Sequence, residues 1–395
     1  MSSSTGSPAA TGSLADASPL TVARALTRRF RLPEGGQAER FAAAQVQICR
    51  KQPGLFPYLY PIQNHVREVA PSSDGWAARA PGQTGKRALK HTAGRFIRAL
   101  NDRLPRSTYQ ADVLLCPTWV WERPQEIDLL VDLFTGLLGT GRSVLVLLHR
   151  GTTTYERLRR ETEVRGAEDR VTLLDPRGTL GQLHDRLHLK GVLDETRAAA
   201  EQLRATLRPA GLAIDADAHE SLAWTTRCRT LWARWAPHLQ FDAAIVRCHW
   251  LPLCSSVAQT ARARGVPVTT LQQGVVSHTM DVPVRADCYV CSGGASRSAL
   301  FALDRDFADA TGRPVQCTEY VPAGSLIDPI ETPSPAFDAH TLLVVGQFTD
   351  WATDYYGLHD QKAALLDVLH RLLASEADVR EVRVRPHPAT PTHTT

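Results

Sequence analysis

Residues 241–274 read FDAAIVRCHWLPLCSSVAQTARARGVPVTTLQQG. Segment 241–248 is an apolar run of strand length, 253–264 is a helix of small residues, and 266–271 is a second apolar run. Gly265 stands where a helix needs a left-handed cap. A strand, a helix, a glycine stop and another strand make one β-α-β unit, whose strands run parallel. Residues 272–274 then turn away from the carboxyl end of the second strand, where parallel sheets collect their active groups.

The same alternation recurs outward from this unit. Segment 112–116 is a short apolar run stopped by Pro117, and 125–138 carries Ile127, Leu130, Val131, Phe134 and Leu138 on one helical side. Strands at 142–148 and 171–174 flank a polar helix at 156–164. Helices at 195–207 and 219–235 follow, the second packing through Leu222, Leu231 and Trp235. Segment 287–291 is another strand, and Ser292-Gly293-Gly294 opens a helix ending near Ala310. A Thr-Pro-Ser-Pro break at 332–335 sets a domain boundary. Beyond it come a strand at 341–345, a leucine-rich helix at 358–373 and a strand at 382–385. The fold class is therefore α/β with a covered parallel sheet over 111–331 and a partial second unit over 336–395. One β-α-β unit is too small to bury a sheet and two helix layers alone.

Towards the amino end the pattern fades. Residues 1–20, rich in Ser, Thr, Ala and Gly, read as disordered, and 56–60 is proline-broken and more loop than element. The stretch 21–110 reads as an N-terminal extension whose later part is basic. Between 79 and 106 it holds Arg79, Lys86, Arg87, Lys90, Arg95, Arg98, Arg103 and Arg106 against the single acid Asp102. Leu89, Phe96, Ile97 and Leu100 recur there at helical spacing. Such a helix either packs on the domain with a solvated charged face or contacts an anionic membrane surface or polyanionic acceptor. Gly82-Gln-Thr-Gly85-Lys86 lacks the spacing and the Ser/Thr of a phosphate loop.

At 395 residues, 43% hydrophobic and 22% charged, the chain suits two folded domains. A net charge of +4 gives no reason to expect a nucleic-acid partner. The first 20 residues lack the apolar core of a signal peptide, and no run of about 18 apolar residues occurs. The expected location is cytoplasmic, with peripheral contact at the inner face of the membrane through 79–106. Eight cysteines then read as reduced thiols, with Cys116 and Cys248 as small buried hydrophobes. Cys288 and Cys291, three apart in a strand, face opposite sides and do not share a metal.

Three loops follow strands and carry groups suited to proton transfer or phosphate binding: His249, the 272–278 segment with Gln272, Gln273, Gly274 and His278, and His387 between Pro386 and Pro388. Flanking prolines fix the His387 backbone. No HExxH pair or carboxylate cluster suggests a metal, no cofactor is expected, and no GxSxG elbow supports an esterase.

LQQGVVSH at 271–278 resembles the LQHG-type segment of bacterial surface- and capsule-polysaccharide transferases, the polysialyltransferase-like and CDP-glycerol glycerophosphotransferase-like group. Pro283-Val-Arg-Ala-Asp287 matches its P-x-x-A-D segment, and Gly324-Ser325-Leu-Ile-Asp328 loosely its TG(S/N)-x-x-x-D stretch. Gly346-Gln347 matches its GQ-like turn, and Arg385-Pro386-His387-Pro388 its R/K-x-H-P motif. The resemblance implies a GT-B fold: two Rossmann-like domains, the first on the acceptor side, the second binding a nucleotide-activated sugar or CDP-glycerol. It implies that His387 touches the donor phosphate, with Gly346, Gln347, Arg385 and Ser325 near the nucleotide. Gln273 stands where the group has His, so any loop base would be His278. The group continues well past its HP motif, so the resemblance leads to the expectation of a fold shortened at the C-terminus. The function expected is metal-independent transfer to a glycan or lipid-linked acceptor. A non-catalytic GT-B-like scaffold and a nucleotide-sugar epimerase are the alternatives.

Overall fold

The computed structural model describes residues 18–28, 34–68, 107–117, 124–148, 152–175, 185–215, 218–272, 281–323, 341–345 and 381–385, with a few helical positions between 367 and 374. Among these, seven strands form one parallel sheet: β2 (Tyr109–Cys116), β3 (Val144–Leu147), β4 (Val171–Leu174), β6 (Leu239–Val246), β7 (Val268–Leu271), β8 (Cys288–Cys291) and β9 (Glu319–Pro322). Their spatial order is β4-β3-β2-β6-β7-β8-β9. The chain thus winds outward from β2 to one edge, returns to the other side of β2 and winds out again. That is a Rossmann-like arrangement.

Helices cover both faces. On one side, α4 (Pro124–Gly139) and α5 (Thr153–Val164) close a core of Leu115, Ile127, Val131, Phe134, Val144, Val146 and Leu158. Thr152 caps α5, its hydroxyl accepting from Tyr155 N at 3.2 Å. The other side buries a larger core, shared by α1 (Pro19–Arg28), α2 (Gln37–Lys51), α3 (Phe56–Ile62), α6 (Asp185–Leu207), α7 (Ala218–Trp235), α8 (Pro252–Ala263) and α9 (Gly294–Thr311). Gly265 takes φ +72° after α8, the left-handed conformation its position called for. Asp112 and Ser143 clamp β2 to β3: the carboxylate accepts from Ser143 N at 2.7 Å and from its hydroxyl at 2.9 Å. Those two hydrogen bonds hold the Asp112 carboxyl below its ordinary range.

The amino-terminal segment is more ordered than its composition suggests. Residues 19–28 are helix α1, so the disorder expected over 1–20 does not extend through it, and 1–17 lie outside the described residues. Segment 56–60 is helical, because Pro57 falls in the first turn, where no backbone donor is lost, and Phe56, Tyr58, Leu59 and Ile62 are buried. Polar ties fasten these helices to the sheet region: Gln45 Nε2 donates to Val282 O at 2.8 Å, Arg50 Nε to Ala310 O at 2.8 Å, and Arg313 Nε to Cys49 O at 2.8 Å. The basic stretch 79–106 lies outside the described residues. A short antiparallel pair, β1 (Val66–Glu68) with β5 (Leu212–Ile214), completes this side.

The strands expected at 341–345 and 382–385 form a separate parallel pair, β10 (Thr341–Val345) with β11 (Glu381–Arg385). Of the helix expected at 358–373, only scattered positions are described, and they are helical. No helix among the described residues is long and apolar enough to cross a membrane.

Phe134 is fully buried between α4 and the sheet. Replacing it with Ala should lower the unfolding free energy by about 3–5 kcal/mol in urea titration, whereas a loss below about 1 kcal/mol would contradict this packing.

Candidate functional site

Where β2 and β6 lie side by side, the connections from their carboxyl ends diverge to opposite halves of the sheet, which opens a crevice. Leu115, Pro117, Ile127, Leu130, Ile245 and Leu271 line it, together with Thr154. Arg247 is the only charged side chain among its described lining residues. Arg247 is held firmly: its backbone N–H donates to Cys116 O at 3.1 Å and Nη1 donates to Gln272 O at 2.8 Å. The guanidinium therefore bridges the exits of β6 and β7. Its only signal in the sequence is a single cation near the end of the apolar run 241–248.

Gln272 is a fixed side chain. Its Oε1 accepts from Ser292 N at 2.7 Å and its Nε2 donates to Ser296 Oγ at 3.3 Å. The amide thus fastens the exit of β7 to the start of α9.

His249 is enclosed by its surroundings. The side chain is 1% exposed, its Nε2 lies 3.1 Å from Asp281 O, and its ring meets Tyr289 edge-on at 5.7 Å. Tyr289 belongs to the larger core, on the face away from the Leu115–Phe134 core. Burial, and then the charge of Arg285, push the His249 pKa down to about 3 against the opposing pull of the Asp281 carbonyl. In this position the imidazole donates to the Asp281 carbonyl and ties the exit of β6 to the approach to β8.

Asp287, from the P-x-x-A-D segment, is also a structural tie. It accepts from Val268 N at 2.8 Å and from Arg262 Nη1 at 2.5 Å, joining β7, α8 and the approach to β8.

Of the other expected site residues, Gln273, Gly274, His278, Ser325, Gly346, Gln347 and His387 lie outside the described residues. Arg385 ends β11, in register with Val345 at the end of β10. The first βα connection, residues 117–123, reads PTWVWER and contains no glycine, so the glycine-rich dinucleotide fingerprint is missing. Among the described residues no group of three or more His, Cys, Asp or Glu is placed to hold a metal. All eight cysteines are free, and Cys116 Sγ lies 3.8 Å from Cys254 Sγ inside the core.

Comparison with protein-family models, curated proteins and solved structures finds no match to this chain. The chain has a Rossmann-like α/β fold of the kind that binds nucleotides, with a crevice at its strand reversal and Arg247 as the one cation among its described lining residues.

His249 has a consequence for pH. Unfolded, it takes a proton near pH 6.5; folded, only near pH 3. The unfolded chain therefore binds the extra proton between these values, and stability is lost as pH falls below 6.5, by about 1.4 kcal/mol per unit. Urea titrations from pH 7.5 to 4.5 should give a flatter profile for His249→Gln than for the wild type; parallel profiles would show that His249 is not held neutral.

Proposed function

We propose that the chain is a metal-independent glycosyltransferase-like enzyme that moves a nucleotide-activated sugar or polyol phosphate to a cell-surface glycan. The observation that carries this reading is the register of the small parallel sheet. β10 and β11 end in step, with Val345 opposite Arg385. In sequence these strands lead directly into Gly346-Gln347 and Pro386-His387-Pro388, the two motifs expected to meet a donor phosphate. Parallel strands that finish together deliver their following loops to one edge, the usual place for such chemistry.

In this reading His387 donates a hydrogen bond to the donor phosphate as charge builds on the leaving group, with Arg385, Gly346, Gln347 and Ser325 nearby. Side-chain and backbone N–H groups then take the role that a divalent cation plays elsewhere. The seven-stranded sheet serves the acceptor, whose anionic or hydroxyl-rich end meets Arg247. His278, six residues beyond Gln272, is the candidate base for the acceptor hydroxyl. A lipid-linked acceptor would bring the protein to the inner face of the membrane through the basic stretch 79–106. Sedimentation with anionic and neutral vesicles reads that contact, and equal affinity for both would remove its electrostatic part.

The test is steady-state transfer from CMP-, UDP- and CDP-linked donors to a glycan acceptor. His387→Ala should lower kcat/KM roughly 10²–10³-fold without changing the thermal melt. Transfer unchanged by the substitution would refute the assignment of His387, and no transfer with any donor would favour a binding scaffold.

A further inference from the structure

His65, Asp215 and Ser221 come together away from the crevice, through strand register. β1 and β5 pair antiparallel with Val66 opposite Ile214. The next pair outward is His65 and Asp215, and Asp215 N donates to His65 O at 2.9 Å. Asp215 also leads into α7, its Oδ1 accepting from Ala218 N at 3.1 Å. This holds the carboxylate 3.2 Å from His65 Nδ1. The first turn of α7 then sets Ser221 Oγ 3.1 Å from His65 Nε2.

The tautomer that satisfies both contacts carries its proton on Nδ1, donates it to Asp215, and accepts the Ser221 hydroxyl at Nε2. Arg67 Nη2 stands 3.5 Å from the other carboxylate oxygen. Burial alone would raise the Asp215 pKa, yet the hydrogen bond and charge of His65, with Arg67 and the Ala218 N–H, hold it below its ordinary value. The His65 and Asp215 side chains keep 24% and 29% of their exposure, and Ser221 is half-buried, so the cluster lies at the surface rather than in the core. A serine beside a histidine is usually a solvated contact. What sets this one apart is a third group that fixes the imidazole's tautomer and orientation, the arrangement by which nucleophilic serines are recognised on unrelated folds.

We propose that Ser221, His65 and Asp215 form a nucleophilic relay that hydrolyses small carboxylic esters, an activity separate from glycan transfer. Ser221 Oγ attacks the ester carbonyl carbon while its proton passes to His65 Nε2. The bond to the alcohol oxygen breaks, and the alcohol leaves with that proton. Water then attacks the acyl-serine, again losing a proton through His65, which returns it to Ser221 as the carboxylic acid departs. Asp215 stays ionised and steadies the imidazolium. Ser221 lies in the first turn of an 18-residue helix, whose partly positive end favours the developing oxyanion. No GxSxG elbow is needed, since the relay is assembled by a strand pair and a helix start.

The experiment is covalent labelling of the full-length protein with a fluorophosphonate probe. In that reaction the Ser221 O–P bond forms, fluoride leaves and the serine proton passes to His65. Peptide mass spectrometry should locate the adduct on Ser221 at near one label per chain. p-Nitrophenyl acetate should be hydrolysed with an initial burst that Ser221→Ala abolishes. His65→Gln, shown folded by circular dichroism, should slow labelling at least ~100-fold. The absence of an adduct on Ser221 in the wild type would overturn the proposal without recourse to any variant. Labelling unaffected in folded His65→Gln, or ester turnover that persists in Ser221→Ala, would overturn it too.

Discussion

The ladder between β2 and β6 is the constraint on which the rest of the structure depends. It joins Tyr109 to Leu239 at one end and Cys116 to Val246 at the other, across more than a hundred residues of intervening chain. Everything between must leave β2, build β3 and β4 on one side, and come back. Closing so long a loop costs entropy that only a continuous hydrogen-bonded ladder with buried side chains on both faces repays. The crevice is a consequence of that return. The chain leaves β2 towards one half of the sheet and leaves β6 towards the other, so among the described residues α4 and the start of α5 border the space above their shared carboxyl end. Arg247, pinned by Cys116 O and Gln272 O, occupies the floor of that space because it is the first residue beyond β6.

Two kinds of polar group sit in this framework and should be told apart. Asp287 and Gln272 satisfy backbone groups that would otherwise be stranded at strand ends, and their removal would leave buried donors without acceptors. His249 belongs with them, as a neutral hydrogen-bond donor inside the core. Arg247 differs because its guanidinium lies within an apolar-walled crevice, where an anionic group would find a low-dielectric partner.

The parallel sheet was legible because its strands are short apolar runs bounded by Pro117, Gly265 and similar stops, and because α4 and α8 carry apolar or small residues at one-face spacing. The first three helices were not. α2 is buried nearly all round, with Gln37, Glu39 and Gln45 inside, so it shows no polar face from which to read a period. Its partners, Val282 and Ala310, are distant in sequence. His249 was visible as a residue following a strand, yet its enclosure depends on Asp281 and Tyr289. The His65–Asp215–Ser221 arrangement had no sequence signature, since it arises from an antiparallel register between segments that share no local pattern.

The proposed function puts the acceptor at the reversal of strand order around β2 and β6, and the donor at the β10–β11 edge. Hydrogen exchange of the intact protein, with and without each ligand, distinguishes these two places. An acceptor glycan should slow exchange in peptides covering 115–133 and 245–249, and a nucleotide donor should slow it in peptides covering 344–347 and 384–388. Protection by the acceptor elsewhere, with the 245–249 peptide unchanged, would mean that the acceptor does not bind in this crevice.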